Sequence, residues 1–159
     1  DNFSELAATG SSTFIYLHEI QDPGNAGTIL RTADAMGISA VITSPDSVDM
    51  FSPKVVRSTA GSLWHIPVYE GIGFDQVDKQ FGGIQKFLLS SHAKTSILDL
   101  TIPGDCIAIF GNEARGVDAS ALGSSVTEVT IPMAGRAESL NLSAAASIVM
   151  FTLSSKVAG

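Results

Sequence analysis

Three short segments concentrate the side chains able to do chemistry. The first, Gln21-Asp-Pro-Gly-Asn-Ala-Gly-Thr-Ile-Leu-Arg31, joins a turn to a helix and ends on an arginine. Asp22-Pro-Gly suits the turn and Asn25 suits a helix cap. Neither role accounts for Arg31, which falls beside the apolar face built on Ile29 and Leu30. The second segment, Phe110-Gly-Asn-Glu-Ala-Arg-Gly116, brackets polar side chains between glycines. Gly111 lets backbone approach a ligand closely, and Glu113 with Arg115 offers both charge signs in one turn. A strand-to-helix turn carrying a surface ion pair is the structural alternative. The third, Ile131-Pro-Met-Ala-Gly-Arg-Ala-Glu-Ser-Leu-Asn141, is a polar loop around Gly135 that runs into a helix. Ser139 suits an N-cap there, which leaves Asn141 inside an apolar helix and in need of a partner. A ligand is one candidate for that partner.

The four arginines, Arg31, Arg57, Arg115 and Arg136, fall in or beside these loops or on the helix after Pro53, whereas the five lysines are spread more widely. Guanidinium makes paired contacts to phosphate that an ammonium does not. An arginine-lined site for a phosphate-bearing partner is compatible with this distribution. Other chemistries find less support. The glycines lack the Lys-Ser/Thr ending of a phosphate-binding P-loop, and no G-x-G-x-x-G follows the first strand. No G-x-S-x-G elbow marks a hydrolase. His18, His65 and His92 stand without a cysteine or carboxylate at metal-ligand spacing, so no metal is expected. Cys106 opens an apolar strand and reads as core. Aromatic residues make up only 7%, which lends little weight to a base-stacking platform.

Short apolar runs alternating with helical patterns predict an α/β fold with a mostly parallel sheet flanked by helices. Strands are expected at residues 13–17, 40–43, 66–69, 86–90, 106–110 and 126–131. Helices are expected at 25–36, closed by Gly37, and at 53–60, 75–81 and 139–155. Each of the three polar segments then follows a strand at its C-terminal end, the edge where open α/β sheets bind ligands. The 139–155 helix is apolar or small on nearly every side and must be covered on every side, so a partner subunit is its expected cover.

With 159 residues, 45% of them apolar and 16% charged, the chain suits one globular domain. Nine Lys and Arg against sixteen Asp and Glu give a net charge of −7. That excludes coating nucleic acid through bulk positive charge and argues against adhesion to an anionic membrane. The single cysteine, with no membrane-length apolar run and no signal peptide, predicts a soluble cytoplasmic protein. Residues 1–13 read as a linker or frayed lead-in, and 14–159 as the domain proper.

Taken in order, the three segments resemble the three motifs of the SpoU branch of the SPOUT RNA methyltransferases, the TrmH-like 2′-O-methyltransferases. Ser52-Pro-Lys-Val-Val-Arg57 and Ser58-Thr-Ala-Gly61 resemble that family's intermediate segment, and the likeness covers most of the chain. The resemblance implies a C-terminal deep trefoil knot, S-adenosylmethionine bound by the knot loops, and a homodimer whose interface completes the site. It implies 2′-O-methylation of a ribose in tRNA or rRNA, with a catalytically silent RNA-binding or assembly module as the alternative. By family pattern Gly111, Ile131, Met133 and Leu140 would hold the cofactor. Arg31 would act on the ribose hydroxyl, with Asn25, Glu113, Ser139 and Asn141 as the remaining polar motif positions. Arg57, Arg115 and Arg136 are the expected RNA contacts. Many relatives with this first motif carry an N-terminal RNA-binding domain, so the chain is expected to be a catalytic domain separated from one.

Overall fold

The computed structural model describes residues 2–123 and 125–157. Within them β1 (Thr13–Leu17), β2 (Ala40–Thr43), β3 (Val68–Tyr69), β4 (Gln85–Leu89), β5 (Cys106–Phe110) and β6 (Val126–Val129) form one sheet in the order β3-β2-β1-β5-β4-β6. Every neighbouring pair is parallel. The central strands β1 and β5 are buried along their whole length, which explains their unbroken apolar runs. Their register sets Leu17 beside Phe110, so the chain leaves both strands at adjacent points of one edge.

Helices α1 (Pro23–Ala35), α2 (Pro53–Ser58) and α4 (Leu142–Val157) cover one face, burying Ile15, Leu17, Val41, Ala108 and Phe110. Helix α3 (Phe74–Gln80) covers the other, over Phe14, Tyr16, Ile107 and Ile109. Part of the N-terminal lead-in joins this second layer through Phe3, Leu6 and Ala8. Phe3 meets Tyr69 and Phe81 edge-on at 5.7 and 6.1 Å. Asp105 accepts hydrogen bonds from the backbone of Gly10 and Ser12 at 2.9 and 2.7 Å. Residue 1 lies outside the described residues.

The helix starts differ from the sequence reading for one reason, the choice of cap. Asp22 caps α1 by accepting from the Asn25 amide at 2.9 Å, and Pro23 fits the first turn, so α1 starts ahead of Asn25. Asn141 accepts from the Ser143 amide at 3.0 Å and so begins α4, with Ser139 and Leu140 left in the preceding loop. After β5 the chain forms a tight turn bridged between Asn112 and Gly116, then a 3₁₀ turn at Ala119–Leu122, rather than a helix. β3 is shorter than expected, with Ile66 and Pro67 outside it.

Past β6, Thr130 forms a parallel bridge with Ser96 in the β4–β5 connection. Its amide donates to Thr95 O, and its carbonyl accepts from the Ile97 amide, both at 2.9 Å. Near the end of α4, Lys156 Nζ donates to the carbonyls of Leu98 and Leu100 in the same connection, each at 2.9 Å. No helix among the described residues is long and apolar enough to cross a membrane.

Candidate functional site

The exits of β4, β5 and β6 surround a cavity of about 420 Å³, closed at the side by the first turn of α4. That size suits a small organic ligand. Its apolar wall comes from Leu89, Ile131, Met133, Leu140, Leu142 and Ala145, and hydroxyls from Ser90, Ser91, Thr130 and Ser139 stand among them. All four expected cofactor positions, Gly111, Ile131, Met133 and Leu140, line this cavity. Gly111 has a packing reason to be glycine. A Cβ there would lie 2.6 Å from the Gly116 carbonyl carbon and 2.7 Å from the Val117 nitrogen, so the turn could not fold over the strand end.

The 112–116 turn is tied to the exit of β1. Asn112 Nδ2 donates to Glu19 O at 2.8 Å, while its Oδ1 accepts from the amides of Ala114 and Arg115, each at 3.0 Å. Glu113 accepts from the Asp22 amide at 2.9 Å and from the Gln21 amide at 3.2 Å. Glu113 therefore fixes the first polar segment against the second. Arg115 pairs with Glu19 at 2.6 Å, not with Glu113 as a local ion pair would have it. Glu19 sits in the left-handed region at φ 52°, a conformation these contacts hold in place.

Asn25 and Arg31 do not line the cavity. Asn25 Oδ1 accepts from Asn141 Nδ2 at 3.4 Å, which joins the starts of α1 and α4. Arg31 is exposed on α1 and makes no ion pair among the described residues. Asn141 needs no ligand to satisfy it, because Ser143 and Asn25 already do. Arg57 and Arg136 are exposed, Arg136 on the loop leading to Ser139. Sequence reasoning missed Glu19, Asn112, Ser90, Ser91 and His92. Asn112 lay inside the second motif, and the 90–92 residues follow a parallel strand at the ligand-binding edge, so both had a signal. Glu19 had none.

Residues 12–151 match the family model described as the SpoU rRNA methylase family. The chain belongs to that family. Among SpoU-type relatives, a 23S rRNA (guanosine(2553)-2′-O)-methyltransferase of Bacillus subtilis is 35% identical over 94% of this chain and 60% of its own length. A solved structure of an rRNA methyltransferase from Sinorhizobium meliloti, bound to S-adenosylmethionine, superposes with a TM-score of 0.86 at 31% identity, covering 94% of this chain and 58% of that one. The SpoU methyltransferase AviRb from Streptomyces viridochromogenes, also in complex with that cofactor, superposes with a TM-score of 0.88 at 27% identity, over 100% of this chain and 66% of that one. The SpoU domain described here thus spans about 60% of the Bacillus subtilis relative.

Proposed function

We propose that this SpoU domain transfers a methyl group from S-adenosylmethionine to a ribose 2′-oxygen in rRNA or tRNA. The observation that carries this reading is the cavity itself, where two of the three motif segments and the β4 exit converge on one ligand-sized space. Its wall suits the group. Aliphatic side chains of Ile131, Met133 and Leu140 offer apolar contact to a purine, and the bare backbone at Gly111 permits close approach. The bound cofactor would supply an electrophilic methyl on a sulfonium.

Arg31 then has to reach the ribose hydroxyl, yet it lies outside the cavity of its own chain. A second copy resolves this. On α4, Ala144, Ile148 and Phe151 form an exposed stripe, with Phe151 63% exposed. Beside it on α1 runs an exposed ridge of Thr28, Arg31 and Ala35. Burying the stripe against a second copy removes apolar surface from water and carries Arg31 to a neighbouring cavity. Guanidinium keeps its protons at neutral pH, so Arg31 acts by stabilising the developing alkoxide while the proton leaves to a phosphate oxygen. Holding the 2′-oxygen in line with the methyl supplies much of the remaining acceleration.

The bridge from Thr130 to Ser96 supports the trefoil knot, because it pins the chain after β6 against the β4–β5 connection. Arg31→Ala is expected to lower kcat on a methyl-accepting RNA by about 10²–10³, the scale of losing one transition-state donor. S-adenosylmethionine affinity, measured by calorimetry, should stay within about twofold. Full activity in Arg31→Ala would remove this role, and absence of cofactor binding in the wild type would remove the function.

A further inference from the structure

Trp64 is the chain's single tryptophan, and at 74% exposure it is the most exposed large apolar side chain among the described residues. The backbone beneath it is held firmly. Ala60 and Gly61 both take left-handed conformations, with φ 51° and 95°, which an alanine seldom adopts. Ser62 and Leu63 are buried behind Trp64, and Ile66 is buried after it. His65 Nδ1 lies 2.9 Å from Asp34 Oδ2 on α1. An indole held outward on an ordered turn is placed for contact, not for packing within its own chain.

Its position relative to Arg31 can be read along α1. Gly27 abuts α2, since a Cβ there would fall 1.6 Å from Ser58 Oγ, and Asp34 faces His65. Gly27, Arg31 and Asp34 follow at intervals of four and three residues and share one stripe of the helix. Arg31 therefore projects along the side of α1 on which residues 58–65 run. Helix α4 packs on a different side, where Thr32 Oγ1 meets Ser147 Oγ at 3.2 Å. The exposed ridge of α1 separates Trp64 from the apolar stripe of α4.

Apart from Asp34, which is paired with His65, the charge of the segment around Trp64 favours RNA. Residues 51–68 contain Lys54 and Arg57 and no Asp or Glu, in a chain whose net charge is −7. Both cations are exposed. A second copy docked here about a two-fold axis would bring its own cations against these, whereas a phosphate backbone complements them.

We propose that Trp64 stacks on an unpaired RNA base close to the nucleotide whose ribose is presented to Arg31, with Lys54 and Arg57 contacting phosphates of the same strand. Stacking is sequence-tolerant, so Trp64 recognises an opened strand and not a particular base. This inference rests on the proposed methyl transfer to RNA. It adds a contact on the domain itself, outside the cofactor cavity.

The single tryptophan makes the test direct. A single-stranded RNA oligonucleotide of mixed sequence, titrated into the whole chain, is expected to quench tryptophan emission saturably, in step with the anisotropy of the labelled RNA. Trp64→Ala should weaken RNA binding about tenfold, and Trp64→Phe should retain most of it. S-adenosylmethionine affinity should be unchanged in both variants. RNA that binds without altering the emission would overturn the stacking role. So would Trp64→Ala with unchanged RNA affinity, or variants that shift sedimentation towards monomer, which would assign Trp64 to contact between copies. A wild-type chain that binds S-adenosylmethionine but no RNA also overturns this role and leaves the cofactor cavity standing. Failure to bind S-adenosylmethionine strikes instead at the proposed function.

Discussion

Glu113 spends its carboxylate on the amides of Gln21 and Asp22, and Asn112 spends both ends of its amide on neighbouring backbone. These side chains shape the site by joining loops that lie about ninety residues apart in sequence. Charge-assisted bonds to backbone amides are short and directional, and they suit this task better than the chemistry of the reaction. Cys106 is the reverse case, a reactive residue type kept out of use. Burial pushes its thiol up to about 11, against a partial offset from the hydrogen bond with Thr13. Only the thiolate reacts, so the native protein at pH 8 should leave a disulfide reagent such as DTNB uncoloured. One equivalent of colour is expected when denaturant opens the sheet. Rapid labelling without unfolding would show that β5 opens readily.

Among the elements, the second segment depends most on a single atom that is missing. A methyl group at position 111 would meet the backbone of Gly116 and Val117, which cannot swing aside as a side-chain end can. Gly111→Ala is expected to destabilise the domain by about 1–3 kcal/mol through overpacking, read as a lower denaturation midpoint. Cofactor affinity should fall with it, since the displaced turn forms one wall of the cavity. The strands and the three polar segments were legible because apolar runs and glycine-bracketed loops are local signals. The helix starts were less so. Asn25 and Ser139 are both good caps by type, yet Asp22 and Asn141 hold those positions. Pro23 explains the first, because its fixed φ suits the opening turn of a helix. The pairing of Arg115 with Glu19 could not be read at all, since it joins residues from two strand exits that only the sheet order brings together.

For the whole molecule, the exposed stripe on α4 is the surface proposed to join two copies. Helix α4 buries Ala145, Ala146, Val149, Met150 and Leu153 against its own sheet, and leaves Ile148 and Phe151 outward. Phe151→Asp is expected to shift sedimentation from dimer to monomer, because a carboxylate placed in an apolar interface loses hydration without gaining a partner. Methyl transfer should fall with it, even though the cavity of each chain is untouched. A monomer with full activity would show that Arg31 serves its own chain. The net charge of −7 also takes on a local meaning, since residues 51–68 carry cations alone. Overall acidity and local basicity together fit the proposal that this domain meets nucleic acid along one narrow strip.

The bridge from Thr130 to Ser96 also bears on the order of events. The cavity takes its last wall from Ile131, Met133, Ser139 and Leu140, all of which lie beyond that bridge in the chain. A molecule that has formed the sheet but not yet seated residues 130–141 has a core and no ligand site. Seating that segment also requires Asn141 to meet Asn25, 116 residues away, and contacts this distant in sequence are among the slowest to form. Ligand capture in a refolding chain thus becomes a timestamp, marking the moment at which the final segment has been drawn into place.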